Sequence, residues 1–322
     1  MKRFGKTLSA VLAAAVVAIS LAACGGGGNA SSAAQSQASA GSAGKQITVG
    51  VSLLTRQHVF YNSIESALEK KAKELGVTLD VQDANQDSSK QLSQVQDFIT
   101  KKVDAIILCP TNSAGSKSMV ELAEKADIPV LTMDIPSDGK TVSHISTDNY
   151  KGGELAAEYL VKNVLKDKKG SAAVITYSEN EGCVNREKGF TEWLGKNAPD
   201  IKVADVQNYS GDQSKAADVM QNMLQKHADL DAVFCVGDPA AMGALSSIKA
   251  ANRQVKIIGF DGNPEGIAEI KKDNSLWLAD VAQDPAKIGE TALQTAVDTV
   301  NGKKAEAKIM ISPYIIDKSN AS

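Results

Sequence analysis

The chain has 322 residues, of which 43% are hydrophobic, 23% charged and 4% aromatic, and its formal net charge is −3. This length and apolar content suffice for cores in two domains, so wholesale disorder is excluded, as is a disulfide scaffold with only 4 cysteines. The acidic balance also argues against a nucleic-acid binder, which would carry a basic surplus.

The first 24 residues have the features of an export signal. Three basic residues up to Lys6 precede an apolar run over 8–21 that is short for a membrane span. The run ends in Leu-Ala-Ala-Cys24, which resembles the bacterial lipobox, where the cysteine is lipidated and becomes the first mature residue. We therefore predict a signal peptide over 1–23 and a lipidated Cys24, at the outer face of the cytoplasmic membrane or in the periplasm. An ordinary signal peptide with a chance cysteine is the alternative.

Residues 24–45 have the composition of a flexible tether. Four glycines, Gly25 to Gly28, are followed by Ala, Ser, Gln and Gly as far as Gly44. The glycine run has no strand before it and no Lys-Ser/Thr pair after it, both of which a phosphate loop would need. With a root-mean-square reach of roughly 20–30 Å, the segment would hold a folded domain just off a membrane. The rest of the chain has no apolar stretch of membrane-spanning length, which favours a soluble body.

From Gln46 onward the pattern alternates between strands and helices. Hydrophobic periodicity and turn residues predict strands near 47–51, 77–81, 105–108, 129–133, 172–176, 201–206, 231–236, 255–259 and 277–281. Helices are predicted near 60–75, 88–100, 113–126, 150–166, 185–197, 213–227, 239–250, 264–272 and 285–301. Alternation at this spacing predicts parallel sheets with helices on both faces. Since a single sheet of at least nine strands would be larger than usual, we predict an α/β protein of two doubly wound lobes.

In such sheets, ligands bind outside the carboxyl ends of the strands, so the residues that follow each strand are the candidate site. They are Ser52 to Tyr61, Cys109 to Asn112, Asp134, Tyr177 to Arg186, Gly237 and Asp238, Asp261 to Asn263, and Gln283. This mixture of carboxylates, amides, an arginine and aromatic rings suits a sugar, because hydroxyls take several hydrogen bonds and C–H faces pack on rings. Unpaired polar groups would cost about 1–3 kcal/mol each on burial, so the site should discriminate between hydroxyl patterns.

Five collinear motifs resemble those of the ribose/galactose-type periplasmic binding proteins. They are Ile47 to Ser52 followed by His58 to Tyr61, the stretch 142–149, Arg186 to Phe190, Ile258 to Gly262, and Val281 to Pro285. The resemblance covers about residues 46 to 317 and implies the type I periplasmic binding fold, in which two lobes close on a ligand by a hinge. It also implies solute capture for the permease and ATPase of an ABC importer, by a protein that is not an enzyme.

The resemblance also fixes the expected domain limits. Crossovers between the lobes should fall near 147–149, 282–284 and 311–313. The N-terminal lobe would comprise 46–147 plus 284–311, and the C-terminal lobe 148–283 plus 312–322. We expect a monomer that binds a monosaccharide or a sugar-like molecule, with no cofactor, no metal and no nucleic acid.

The family pattern assigns ligand contact residue by residue. Its main contacts fall on Phe60 and Tyr61 as stacking rings, and on Asp134, Arg186, Asp261 and Gln283 as polar partners. Weaker candidates are Ser52, His58, Cys109, Asn180 and Asp238. Several have a structural alternative: Phe60 and Tyr61 could belong to a core, Arg186 to a surface, and Asp134 and Asp261 to turns or helix caps. A lone histidine such as His58 is also more often structural than ligand-binding.

Three positions depart from the ribose-like pattern. Cys109 and Gly237 stand where asparagine is common, and Ile135 stands where arginine is common. Each change removes hydrogen-bonding capacity. We therefore expect a ligand other than ribose in its familiar pose: a larger one, a less hydroxylated one, or one bridged by water.

Other functions fit the sequence less well. A sensor protein that presents a sugar or autoinducer-like ligand to a membrane receptor kinase is the alternative to import, and neighbouring genes would separate the two. Catalysis and zinc are disfavoured because the chain has only 3 histidines and no nucleophile elbow or zinc motif. The stretch 83–94 lacks the glycine and the final Glu of a calcium loop. A disulfide among Cys109, Cys183 and Cys235 stays open.

Overall fold

The computed structural model describes residues 46–167 and 169–321, which contain twelve strands and nine α-helices. The strands are β1 (Thr48–Leu53), β2 (Thr78–Asp83), β3 (Ala105–Leu108), β4 (Val130–Met133), β5 (Ser143–Thr147), β6 (Gly170–Thr176), β7 (Ile201–Asn208), β8 (Ala232–Cys235), β9 (Lys256–Asp261), β10 (Trp277–Ala282), β11 (Lys308–Ile311) and β12 (Tyr314–Asp317). The helices are α1 (Val59–Leu75), α2 (Ser88–Lys101), α3 (Lys117–Glu124), α4 (Asn149–Tyr159), α5 (Glu181–Asn197), α6 (Gln213–Lys226), α7 (Asp238–Ala250), α8 (Pro264–Ile270) and α9 (Pro285–Val300). The predicted signal peptide over 1–23, Cys24 and the tether over 24–45 lie outside the described residues.

The strands form two six-stranded sheets, which confirms the predicted α/β class with two lobes. The first sheet has the order β11-β5-β4-β3-β1-β2, and the second has the order β12-β10-β9-β8-β6-β7. The central strands β3, β4 and β8 are buried along their whole length, as expected where helices cover both faces of a sheet. Neighbouring strands are parallel except for β12, which runs antiparallel to β10.

The chain passes between the two sheets three times. After β5 it enters α4, which packs on α5, β10 and β12 of the second lobe. After β10 it enters α9, which packs on α1, β3, β4 and β5 of the first lobe. The third passage joins β11 to β12, so the last strand belongs to the second sheet.

Side chains in the loops that follow β1, β2 and β6 cap the N-termini of the next helices. The His58 imidazole Nδ1 accepts the Phe60 N–H at 3.2 Å and caps α1. Asp87 caps α2 by accepting two N–H groups of its first turn. Asn180 caps α5 by accepting the Cys183 N–H at 3.2 Å, so this helix begins at Glu181 rather than at 185 as predicted.

Close packing of α4 against α5 fixes the position of the second-lobe site. A Cβ atom on Gly153 would lie 2.0 Å from the Arg186 carbonyl oxygen, and one on Gly189 would lie 2.0 Å from the Tyr150 carbonyl oxygen. Only glycine permits this approach, which brings the two helix backbones into direct contact.

Several predicted boundaries differ from those observed. Helix α3 begins at Lys117 because a turn occupies 113–116, and α4 is followed by a π-helical turn over Leu160–Val164. Strands β5, β11 and β12 were not predicted as strands.

Cys109, Cys183 and Cys235 are buried and free, so no disulfide joins them. None of the described helices is long and apolar enough to cross a membrane.

Candidate functional site

A cavity of about 510 Å³ lies where the carboxyl ends of the strands of both lobes meet. The first lobe supplies Leu54, Thr55, Gln57, His58, Phe60, Tyr61, Gln86, Thr111, Asp134 and Ile135 to its wall. The second lobe and the crossover supply Tyr177, Glu179, Asn180, Cys183, Arg186, Tyr209, Gly211, Gln213, Val236, Gly237, Pro239, Asp261 and Gln283. The position agrees with the general rule that ligands of such sheets bind beyond the strand ends.

The first-lobe wall is built around Asp134. This residue follows β4 with a left-handed φ of 62° and is 8% exposed. The Tyr61 hydroxyl donates a hydrogen bond of 2.8 Å to Asp134 Oδ2. Burial raises the pKa of the Asp134 carboxyl, while the bond from Tyr61 and the charge of Arg186 act in the opposite sense. The rings of Phe60 and Tyr61 meet edge to face at 5.2 Å, so this wall combines an acceptor with two aromatic surfaces.

The second-lobe wall is built around Arg186, which is 6% exposed. Its Nε donates to Asn149 Oδ1 at 2.8 Å, and its Nη1 donates to the Val236 carbonyl at 2.7 Å and to Asp261 Oδ1 at 3.2 Å. The guanidinium carbon lies 3.7 Å from the centre of the Phe260 ring. Burial opposes the charge, but the surrounding acidic groups outweigh it and raise the pKa of Arg186, so the guanidinium stays charged.

Asp261 is the point where these contacts converge. Its Oδ1 accepts the bond from Arg186 and one of 2.7 Å from Gln283 Nε2, and its Oδ2 accepts the Asp238 N–H at 3.2 Å. The Thr147 hydroxyl donates to Gln283 Oε1 at 2.6 Å, so the end of β5 is linked through Gln283 to this carboxylate. Asp261 has a φ of 122°, a strained conformation of the kind that clusters at functional sites.

The two walls also approach each other directly. His58, at the start of α1 in the first lobe, places its Nε2 3.8 Å from Asp261 Oδ2 in the second. Its side chain is 28% exposed, so the imidazole borders the cavity and stays accessible from solvent.

Eight of the eleven predicted ligand residues line the cavity, and three do not. Ser52 is fully buried between Gln91 and Gln94. Its hydroxyl donates a hydrogen bond to Gln94 Oε1 and accepts one from Gln91 Nε2. Cys109 lies behind Asp134, with its Sγ 4.0 Å from Asp134 Oδ2, and burial raises the pKa of its thiol. Asp238 points away from the cavity toward the turn that follows Asp261, because its Oδ2 accepts the Asn263 N–H.

Residues that follow the two edge strands also line the cavity, although they were not among the predicted ligand residues. Gln86 follows β2, while Tyr209, Gly211 and Gln213 follow β7, and all four line the cavity. The signal was available, because both strands were predicted and the same rule applied to their ends. Tyr209 meets Tyr177 edge to face at 5.8 Å and extends the aromatic surface of the second lobe.

The arrangement is chemically suited to binding rather than to catalysis. Its carboxylates, amides and guanidinium present acceptors and donors for hydroxyl groups, and its rings present faces for C–H groups. The described residues contain no group of three or more His, Cys, Asp or Glu side chains that could hold a metal ion.

Comparison with known proteins gives a consistent result. A family model described as "Periplasmic binding protein domain" matches residues 49–304. The ribose import binding protein of Bacillus subtilis is 37% identical over 270 residues, which cover 82% of this chain and 85% of that protein.

Two solved structures extend the comparison. A solute binding protein of an ABC transporter from Actinobacillus succinogenes with bound D-allose is 25% identical, with a TM-score of 0.79 over 86% of this chain and 99% of that one. The myo-inositol binding protein of Caulobacter, bound to myo-inositol, is 30% identical, with a TM-score of 0.79 over 86% and 95% of the two chains.

Proposed function

The chain belongs to the ribose/galactose-type periplasmic sugar-binding proteins of ABC importers, and we propose that it captures a sugar or polyol in the cavity between its two lobes. Members of this family bind and do not catalyse, so the chain is a binding protein rather than an enzyme. The observation that carries the proposal is the convergence of Asp134 with Tyr61 from one lobe, and of Arg186 with Asp261 from the other, on one cavity. Phe60, Gln283, His58 and Asn180 complete the proposed contact set.

The proposed ligand is not ribose in its usual pose. Ile135 and Gly237 both line the cavity, and neither side chain offers a hydrogen bond to a hydroxyl. The cavity is also roomy. A hexose of about twelve non-hydrogen atoms takes up at most roughly 360 Å³, even at the share of about 30 Å³ that a water molecule has in the liquid. A cavity of about 510 Å³ therefore accommodates a monosaccharide with bridging water or a somewhat larger polyol.

Two lobes that hinge on their crossovers fit this role. We place the N-terminal lobe at 46–147 plus 284–311 and the C-terminal lobe at 148–283 plus 312–322. The bond from Thr147 to Gln283, and from there to Asp261, supports a link between the crossover and the ligand-facing carboxylate. Opening of the lobes would separate His58 from Asp261, and ligand binding would favour the closed arrangement.

Membership of this family implies an exported protein. We propose that lipidation of Cys24 anchors it and that the tether over 24–45 holds the lobes near the permease. Incorporation of labelled fatty acid, and its loss on Cys24→Ser, tests the anchor.

Import is preferred to the sensor role because the relatives include a ribose import binding protein. Sugar uptake by cells that lack the chain separates the two roles, because a sensor's loss leaves uptake intact.

A thermal-shift panel of pentoses, hexoses, deoxysugars and polyols tests the proposal on the purified protein. A ligand at one hundred times its Kd adds about 2.7 kcal/mol of stability, which is readily seen. Asp134→Asn should remove most of the shift without distorting the backbone, because asparagine tolerates a left-handed φ. Asp127→Asn is the matched control, since Asp127 has a φ of 58° and is exposed in the same lobe. Absence of a shift with every sugar and polyol would contradict the proposal.

A further inference from the structure

Two buried carboxylates lie directly behind the turn that carries Asp261. Asp238 is the first residue of α7 and is 4% exposed, and Asp280 in β10 is fully buried. Asp280 Oδ2 accepts the Gly262 N–H at 2.9 Å, and Asp238 Oδ2 accepts the Asn263 N–H at 2.8 Å. The pair therefore holds the two peptide groups that follow the proposed ligand residue.

The second oxygen of each carboxylate indicates the protonation state of the pair. Asp238 Oδ1 and Asp280 Oδ1 are buried and have no hydrogen-bond partner among residues 46–167 and 169–321. The two side chains are within hydrogen-bond reach of each other, but ionised carboxylates only accept hydrogen bonds. One proton between them would turn two unpartnered acceptors into a single O–H···O⁻ bond.

The groups that face the pair do not neutralise its charge. Asp261 adds a third carboxylate, and Cys235 adds a buried thiol whose pKa is raised by burial and then by both acids. Arg186 is the cation that acts on Asp280, and its guanidinium already bonds Asp261. Burial raises the pKa of Asp238 and of Asp280, and the proximity of Asp261 raises both further.

Building on the proposed sugar site, we propose that Asp238 and Asp280 share one proton and that the singly protonated pair is a positioning device for Asp261. Loss of the proton places two like charges side by side in a buried site. Their repulsion acts on the Gly262 and Asn263 peptide groups that they hold. The strained backbone of Asp261 then loses its support, and affinity for the sugar falls at alkaline pH.

The matched variants are Asp238→Asn and Asp280→Asn. Each supplies an amide N–H that bonds the remaining carboxylate, so the pair no longer needs a proton. The wild-type Kd for the best panel sugar should rise at alkaline pH by up to tenfold per pH unit, as expected for one linked proton. The two variants should bind at neutral pH and lose this dependence. The exposed Asp273→Asn control in the same lobe should keep the wild-type profile. Equal pH profiles in the wild type and both variants overturn the proposal.

Unfolding of the ligand-free protein gives an independent readout. The folded pair keeps a proton that unfolded carboxylates release above about pH 4. The pair should therefore contribute a rise in the wild-type unfolding equilibrium constant of up to tenfold per pH unit from there to the pH at which the pair ionises, and no further rise above it. The difference in slope between the wild type and the two variants separates this contribution from that of other titrating groups. The variants should lack this one-proton contribution, and an unchanged slope in both overturns the shared proton. If no sugar binds at any pH, the sugar assignment fails while the unfolding slope still decides the fate of the pair.

Discussion

Replacement of Arg186 by methionine tests how much the buried Arg186–Asp261 ion pair contributes to stability and to ligand binding. Methionine keeps an extended apolar side chain over Phe260 but removes the guanidinium and its bonds to Asn149, to the Val236 carbonyl and to Asp261. Asp261 then remains as a buried carboxylate without its cation.

The expected cost follows from the burial of both partners. The side chains of Arg186 and Asp261 are each 7% exposed, and breaking such a buried pair by removing one partner costs about 3–5 kcal/mol. At roughly 2–4 °C per kcal/mol for a chain of this size, the melting temperature should fall by about 6–20 °C. Arg186→Met should also abolish ligand binding, because the carboxylate that it orients loses its fixed position.

Arg56→Met is the matched control in the first lobe. Arg56 pairs with Glu65, but its side chain is 42% exposed, and a surface pair contributes at most about 1 kcal/mol. The assay is thermal unfolding followed by circular dichroism, with and without the best panel sugar. If the free energy of unfolding of Arg186→Met lies within about 1 kcal/mol of that of Arg56→Met and the variant still binds the sugar, the buried pair contributes no more than a surface pair.

Three further predictions concern packing, pH and specificity. Gly153→Ala should destabilise the protein severely, because the added Cβ would clash with the Arg186 carbonyl. Gly195→Ala, in open space on α5, should instead stabilise the protein by about 0.5–1 kcal/mol. Chemical denaturation measures both changes. Burial, aided by a nearby lysine, lowers the pKa of His144 to about 4, so this residue by itself should contribute a loss of stability of about 3 kcal/mol as pH drops from 6.5 to 4, and His144→Gln should lack that contribution. Gly237→Asn fits the extended backbone, with its Cβ 3.4 Å from Asp261 Oδ2, so it should leave stability intact and change the order of preferred sugars in calorimetry.

The alternation of strands and helices could be predicted because buried parallel strands and amphipathic helices leave strong patterns. β5, β11 and β12 left weaker ones. β11, with the sequence Lys-Ile-Met-Ile, and β12, with the sequence Tyr-Ile-Ile-Asp, are four-residue edge strands that are largely half-exposed or exposed, so their pairing depends on the assembled sheets. The start of α5 depends on a single capping side chain, Asn180, whose role only the backbone geometry reveals.

The cavity wall could be predicted where strand order alone determines position. Asp134 and Asp261 follow β4 and β9, and the rule for parallel sheets brings both to the cavity. The rule does not say which way a side chain points. Ser52, at the end of β1, and Asp238, after β8, satisfy the same rule but turn toward neighbouring amide and peptide groups that require hydrogen bonds.

The departures from the ribose-like pattern gain a physical meaning from the structure. Ile135 and Gly237 line the cavity, so a bound ligand would lack the hydrogen bonds that arginine and asparagine at these positions could make. Cys109 stands behind Asp134 instead, where it affects the environment of that carboxylate rather than the cavity surface.

A crystal structure of the complex with the best sugar of the panel would show whether the cavity between the lobes is the sugar-binding site. We expect one sugar between the lobes, with hydroxyl groups bonded to Asp134 on one side and to Arg186 or Asp261 on the other. A ring should also lie against Phe60 or Tyr61. A sugar bound elsewhere, or bound in the cavity without contact to these residues, would rule out the proposed site.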